Sequence, residues 1–312
     1  MSFRAIPVIA ALVAVLAGPA AAQWTPAAPL PDLRTEVSVT GDGQRLFLAG
    51  GYGVSGDQLA APRAVYAYDP GADAWERLTD LPQGLNHTAL VHLDGALFVI
   101  GGQVETSSDP VATVWIYDIA GDRWREGPPL AHPRGAHAAT LHAGRIHVIG
   151  GVGPNGNIAA HEIYDPASNQ WTAAADMPTP RDHHAVVSVG DRIVVLAGRD
   201  QQTTRMQVNE IYDPATDRWQ AGADLPTGRS GVAGVALDGY VYLIGGEGFN
   251  PATTFAEVER YDPVADTWQT MPPLGIARHG LGAAVIDGRI HVVSGGPEAG
   301  FTFGNAQEVL VP

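Results

Sequence analysis

The 312-residue chain has no cysteine, and all 18 of its basic residues are arginine, so lysine is missing too. The first absence excludes disulfides, thiolate metal sites, thiol nucleophiles and a cysteine-anchored lipid. The second excludes Schiff-base chemistry, a lysine general base and the lysine of a phosphate-binding loop. Charge is sparse, at 16% of residues, and unbalanced, with a formal net charge of -15. An acidic body repels a polyanion, so nucleic acid is not expected as a partner. Apolar runs long enough to span a bilayer are also lacking, so no membrane span is expected. What the chain does have is glycine (38), proline (24) and a 45% hydrophobic content. That composition argues against disorder and for a folded protein with many special turns.

The first residues read as an export signal. Arg4 is followed by an apolar stretch from Ala5 to Leu16 and by Ala20-Ala21-Ala22 ahead of Gln23. This is the order of a secretory signal cleaved after Ala22. The expectation is a signal peptide over 1-22, one domain over 23-312, and a periplasmic or secreted location.

The rest of the chain repeats itself. Tryptophan recurs at Trp24, Trp75, Trp124, Trp171, Trp219 and Trp268, and only Trp115 lies off this register. Tyr68-Asp69-Pro70, Tyr117-Asp118-Ile119, Tyr164-Asp165-Pro166, Tyr212-Asp213-Pro214 and Tyr261-Asp262-Pro263 precede five of them. A glycine pair, or Ala197-Gly198 in the fourth unit, ends an apolar run in each unit; in the last it aligns as Gly295-Gly296 or one residue earlier. Each unit holds four short apolar stretches, with turns such as Asp94-Gly95 between the first two. This pattern predicts four strands per unit and no sustained helix.

Glycine pair, Tyr-Asp-Pro and tryptophan, in that order and at about this period, resemble the kelch repeat. The resemblance implies an all-β, six-bladed β-propeller with four strands per blade. The last unit lacks a tryptophan and the first tryptophan lacks preceding strands. The segment from Trp24 is therefore expected to complete the last blade and close the ring.

In such a blade the connections after the glycine pairs and those entering the next blade share one face. Ten residues after each tryptophan come Arg34, Leu85, Arg134, Arg181, Arg229 and Arg278. Two roles are open to this column. The arginines ring the channel mouth and bind an anion, or they pair with Glu162, Glu210, Glu259 and Glu308, which recur two positions before the tyrosine or its equivalent. Kelch substrate adaptors use similar Arg and Ser positions on acidic peptides, which by resemblance points to Arg229 and Ser230. Arg199 and Arg205 add positive charge to the same face, and Phe249, Phe255, Phe301 and Phe303 crowd two adjacent long loops. His87, His183 and His279 fall near the mouth, whereas His147 and His291 align with Phe47, Phe98 and Tyr242 as packing positions. The five-residue spacing of His132, His137, His142 and His147 fits no single face, so neither a metal nor a cofactor is expected.

The expected function is that of a monomeric binding propeller whose Arg-ringed mouth and loops take an acidic peptide or an acidic saccharide. Two alternatives stand beside it. One is a mutarotase resembling kelch-type N-acetylneuraminate epimerases, with Arg181, Arg229 and Arg278 on the carboxylate and His183 or Glu247 as catalytic groups. The other is a protein-interaction scaffold. The copper radical chemistry of kelch-type galactose oxidases is set aside, because it needs a cysteine.

Overall fold

Each repeat unit forms one four-stranded antiparallel sheet. The computed structural model describes residues 23–311 and contains six such sheets among them. In the first blade the strands are Ser38–Gly41, Leu46–Ala49, Val65–Asp69 and Ala74–Leu78, paired in that order from the axis outwards. The sixth blade is assembled from both ends of the chain. Gly282–Ile286, Arg289–Val293 and Gln307–Val311 are completed on the outside by Gln23–Ala27, with Trp24 opposite Leu310. The expected ring closure is thus present, and it leaves no blade short of a strand. The expected signal segment, residues 1–22, lies outside the described residues.

The turns follow from residue type. Asp94-Gly95, Asp238-Gly239 and Asp287-Gly288 all take positive φ at both positions, the geometry of the tight hairpin whose twist matches its strands. The last glycine pair takes the earlier of its two alignments, with Ser294 at φ 64° and Gly295 at 98°. At the Tyr-Asp-Pro corner the tyrosine hydroxyl donates to a residue five positions on: Asp73, Asp122, Asn169, Asp217 or Asp266. Each of these acceptors sits at φ between 47° and 56°, where Asp and Asn are tolerated. The outer tryptophans latch blade to blade. Trp75 Nε1 donates to Ala28 O, Trp171 to Pro128 O and Trp268 to Ala223 O, each carbonyl lying on the segment that leaves the preceding blade. Trp24 makes the same bond to Pro272 O, so the closing strand is fastened like the others.

Hydrophobic faces pack sheet against sheet. Leu46, Leu48, Tyr66, Tyr68 and Val293 form one such layer between the first and sixth blades. At about 1.5–3 kcal/mol per fully buried large apolar side chain, these layers supply most of the drive to assemble the ring. Along the axis the space between innermost strands holds stacked cavities of about 80 and 160 Å³, widening to about 410 Å³ at the hairpin end.

Candidate functional site at the channel mouth

The arginine column does not ring the mouth. Arg34, Arg134, Arg181, Arg229 and Arg278 are all at most 1% exposed. Their guanidinium groups turn back into their own blades. Arg181 Nε donates to Ala197 O at 2.8 Å and Arg229 Nε to Gly245 O at 2.7 Å, so each clamps the first residue of a glycine pair. Arg134, Arg181, Arg229 and Arg278 then meet Glu162, Glu210, Glu259 and Glu308 at 2.5 to 2.8 Å. Arg34 has Tyr66 where the glutamate would be, and pairs with Asp32 instead at 2.8 Å. The expected ligand-binding role of these five arginines is therefore corrected: their guanidinium groups are buried inside the blades and none faces the opening. Ser230 is likewise fully buried, with its Oγ directed at backbone carbonyls.

The mouth is built two residues further on, at Glu36, His87, Ala136, His183, Gly231 and Gly280. All six take left-handed φ, between 51° and 63°. In that conformation the backbone links neighbouring blades: Ala136 N donates to His87 O, His183 N to Ala136 O, Gly231 N to His183 O and Gly280 N to Gly231 O, each at 2.9 Å. Val37 N donates to Gly280 O at 3.2 Å and brings the collar back to the first blade. Gly280 has no alternative, since a Cβ there would lie 2.5 Å from Thr35 Oγ1 and 2.6 Å from Glu36 N.

Above the collar lies a cavity of about 160 Å³. Glu36, His87, His183 and His279 form its floor, Arg199 and Glu247 one side, and Tyr52, Phe249 and Phe301 its apolar walls. Arg199 and Glu247 occupy one repeat position, directly after the glycine pairs of the fourth and fifth blades. Arg199 Nη1 bonds Glu247 Oε1 at 2.7 Å, its Nε lies 3.3 Å from Asp182 Oδ1, and its Nη2 lies 2.9 Å from His183 Nε2. The second Glu247 oxygen accepts from Gly300 N at 2.9 Å and lies 3.5 Å from His279 Nδ1. Burial works against a charge on His279, but Glu36, 3.3 Å away, and Glu247 outweigh it and raise its pKa. Burial has the upper hand at His87, whose pKa falls to about 4, so this ring is neutral. Burial also disfavours the Asp182 carboxylate, yet His183 and Arg199 hold its pKa below the ordinary value.

Of the residues singled out in the sequence, His183, Glu247, Arg199, Phe249 and Phe301 meet in this cavity, together with His87 and His279. Phe249 lies under the Arg199 guanidinium at 5.6 Å, and Phe301 stands 71% exposed at the rim against Tyr52. Phe255 and Phe303 do not join them. Phe255 is buried beneath Arg205, and Phe303 is half-buried in its own loop. His147 and His291 are packing residues between blades, as their alignment suggested. Glu36 and Tyr52 were missed. The signal available for Glu36 was its column, which reads Glu, His, Ala, His, Gly and Gly two positions past the arginines and Leu85.

Three comparisons bear on this architecture. The family model described as the KLHDC2/KLHL20/DRC7 Kelch-repeats domain matches residues 86–296, more than half of the chain. Beta-scruin of Limulus polyphemus is 35% identical over 134 residues, 41% of this chain and 14% of that protein. Human Kelch-like protein 33 is 32% identical over 139 residues, 43% of this chain and 25% of that protein. The chain thus spans a quarter or less of the length of these relatives. Among solved structures, the one titled "Structure of YjhT" superimposes with a TM-score of 0.77 at 17% identity, covering 89% of this chain and 95% of that one.

Proposed function

Because the chain belongs to the kelch-repeat family, whose fold serves many unrelated tasks, we propose its function from the mouth cavity: a site for a sugar-sized hydroxylated ligand that supports mutarotation. The observation that carries this reading is the convergence of Arg199, Glu247, His279 and His183 within one partly enclosed cavity with aromatic walls. A ring presents an apolar face to Phe249 and Tyr52 and polar edges to the charged groups, the division of labour usual in small-molecule sites. Mutarotation needs a proton removed from the anomeric hydroxyl and one delivered to the ring oxygen; the ring opens and recloses on the other face. Glu247 is the base in this assignment and His279 the acid. With five of the column arginines sealed in the blades, a sugar carboxylate has only Arg199 to meet at this cavity.

The test is anomer exchange followed by NMR on a panel of neutral and acidic monosaccharides. Wild-type protein should speed exchange of at least one sugar over buffer. Glu247→Gln should lower that rate by about 10²–10⁴-fold, the usual contribution of a positioned acid or base. A wild-type rate equal to buffer across the panel overturns the reading.

A second reading rests on the rim. Phe301, Val54 and Leu59 are exposed apolar residues on the loops of the sixth and first blades, beside the cavity. They offer a grip for a protein or peptide segment, in keeping with a propeller used as an interaction scaffold.

A further inference from the structure

The geometry points to a divalent transition-metal site on the channel axis, formed by Glu36, His87 and His183. Three blades that are not all adjacent bring these side chains together from equivalent collar positions. His87 Nε2 lies 3.1 Å from His183 Nε2, and Glu36 Oε2 lies 3.6 and 3.8 Å from the two ring nitrogens. Metal bonds of about 2.1 Å at roughly tetrahedral angles place neighbouring donor atoms about 3.4 Å apart. The observed separations bracket that value.

The hydrogen bonds behind the rings decide which nitrogen faces the centre. Asn86 Nδ2 donates to Glu105 O at 2.8 Å and to Gln103 O at 3.2 Å, which leaves Asn86 Oδ1 to accept from His87 Nδ1 at 2.5 Å. Asp182 Oδ1 accepts from His183 Nδ1 in the same way. With both Nδ1 atoms committed as donors, the Nε2 of each ring is left to face the centre, and that of His183 lies 2.9 Å from the Arg199 Nη2 donor. Two ring nitrogens and a carboxylate oxygen thus converge on one point, a repulsive arrangement unless a cation or a donor sits among them. Backing of each histidine by a second acceptor is the support that metal-bound imidazoles ordinarily have. Two histidines and one carboxylate with the remaining side open suit a first-row divalent ion, and here the open side is the cavity.

Two donors reach the cluster: His279 Nδ1, 3.3 Å from Glu36 Oε1, and Arg199 Nη2, 2.9 Å from His183 Nε2. Arg199 occupies the histidine side and competes with a metal there. Its other contacts, to Glu247 and Asp182, do not involve the three ligands, so it has somewhere to remain when the ion enters.

The experiment titrates untagged, chelator-stripped protein with Co²⁺, read by visible absorption, and with Zn²⁺, read by calorimetry, without any sugar. Its outcome is therefore independent of the mutarotation reading. One equivalent should bind per chain. His87→Ala, His183→Ala and Glu36→Gln should each weaken binding at least tenfold, and Asp182→Ala by about 10–100-fold as a supporting acceptor. Arg199→Met should tighten it. If an alanine variant does not fold, histidine-selective NMR of the wild type decides, because Zn²⁺ must shift Nε2 and not Nδ1 of two rings. Absence of stoichiometric binding, or binding unchanged in both histidine variants, overturns the proposal.

Discussion

Buried histidines make single positions of this protein sensitive to acid. His147 Nδ1 and His161 Nε2 are 2.9 Å apart in the third blade, packed against Tyr212 and His142. Burial first, then His161, His142 and Arg145, push the pKa of His147 down to about 3. Burial lowers that of His161 to about 4, although Asp217 and a backbone hydrogen bond oppose it. Both rings are neutral in the fold and protonate near 6.5 once unfolded. Their contribution to stability is therefore complete above about pH 6.5 and is lost as the pH falls towards 4. Sibling blades carry Phe47, Phe98 and Tyr242 at the first position and Val65, Val114 and Val258 at the second. His147→Phe with His161→Val should reduce the fall in Tm between about pH 7 and about pH 4.5; an unchanged fall would assign the acid lability elsewhere. The packing role of His147 was legible from that alignment. The fate of the arginines was not, because a repeat fixes which position recurs without fixing whether its long side chain reaches the opening or folds back under the glycine pair. Glu36 was missed for a related reason: its column was visible in the repeat, but it becomes a site residue only beside His87 and His183, which the chain delivers 51 and 147 positions later.

Within a blade, the buried Arg–Glu pair ties the entry of the innermost strand to the glycine pair and to the third strand. Arg229 bonds the carbonyls of Gly245, Thr227 and Leu243 as well as Glu259. Arg229→Ala would leave Glu259 charged and buried and should cost about 3–5 kcal/mol, measured by denaturant unfolding. A neutral result would mean that water replaces the guanidinium. The second blade does without the pair: Leu85 and Trp115 stand at the two positions and belong to one apolar layer. Trp115, off register as a tryptophan, is thus in register as the partner of Leu85. The double variant Arg229→Leu/Glu259→Trp should accordingly lose less than the sum of its single changes, since no charge is left unpaired. Strands and tight turns could be read in advance because alternation and Asp-Gly are local signals. The loops after the glycine pairs could not, since their conformation depends on neighbouring blades, as where Arg205 of the fourth covers Phe255 of the fifth.

The ring as a whole depends on its seam. Trp24 and Leu30 are buried where the first and last segments meet, and Leu30 N bonds Asn305 O at 2.9 Å. A chain beginning at Leu33 would expose the edge of Gln307–Val311 and should melt on the order of 10 °C lower in calorimetry. An equal Tm would mean that the seam is dispensable. The collar has a different consequence. Five of its six members, His87, Ala136, His183, Gly231 and Gly280, are linked through main-chain bonds, so outside Gly280 the frame does not rest on the identity of these side chains. Ala136 already occupies the left-handed conformation at φ 51°, and a Cβ added at Gly231 would meet its nearest neighbour at 3.4 Å. These two positions line the same axial cavity as Glu36, His87 and His183. New chemistry could be written into the mouth one residue at a time, by substitution at a blank position, without redesign of the propeller that carries it.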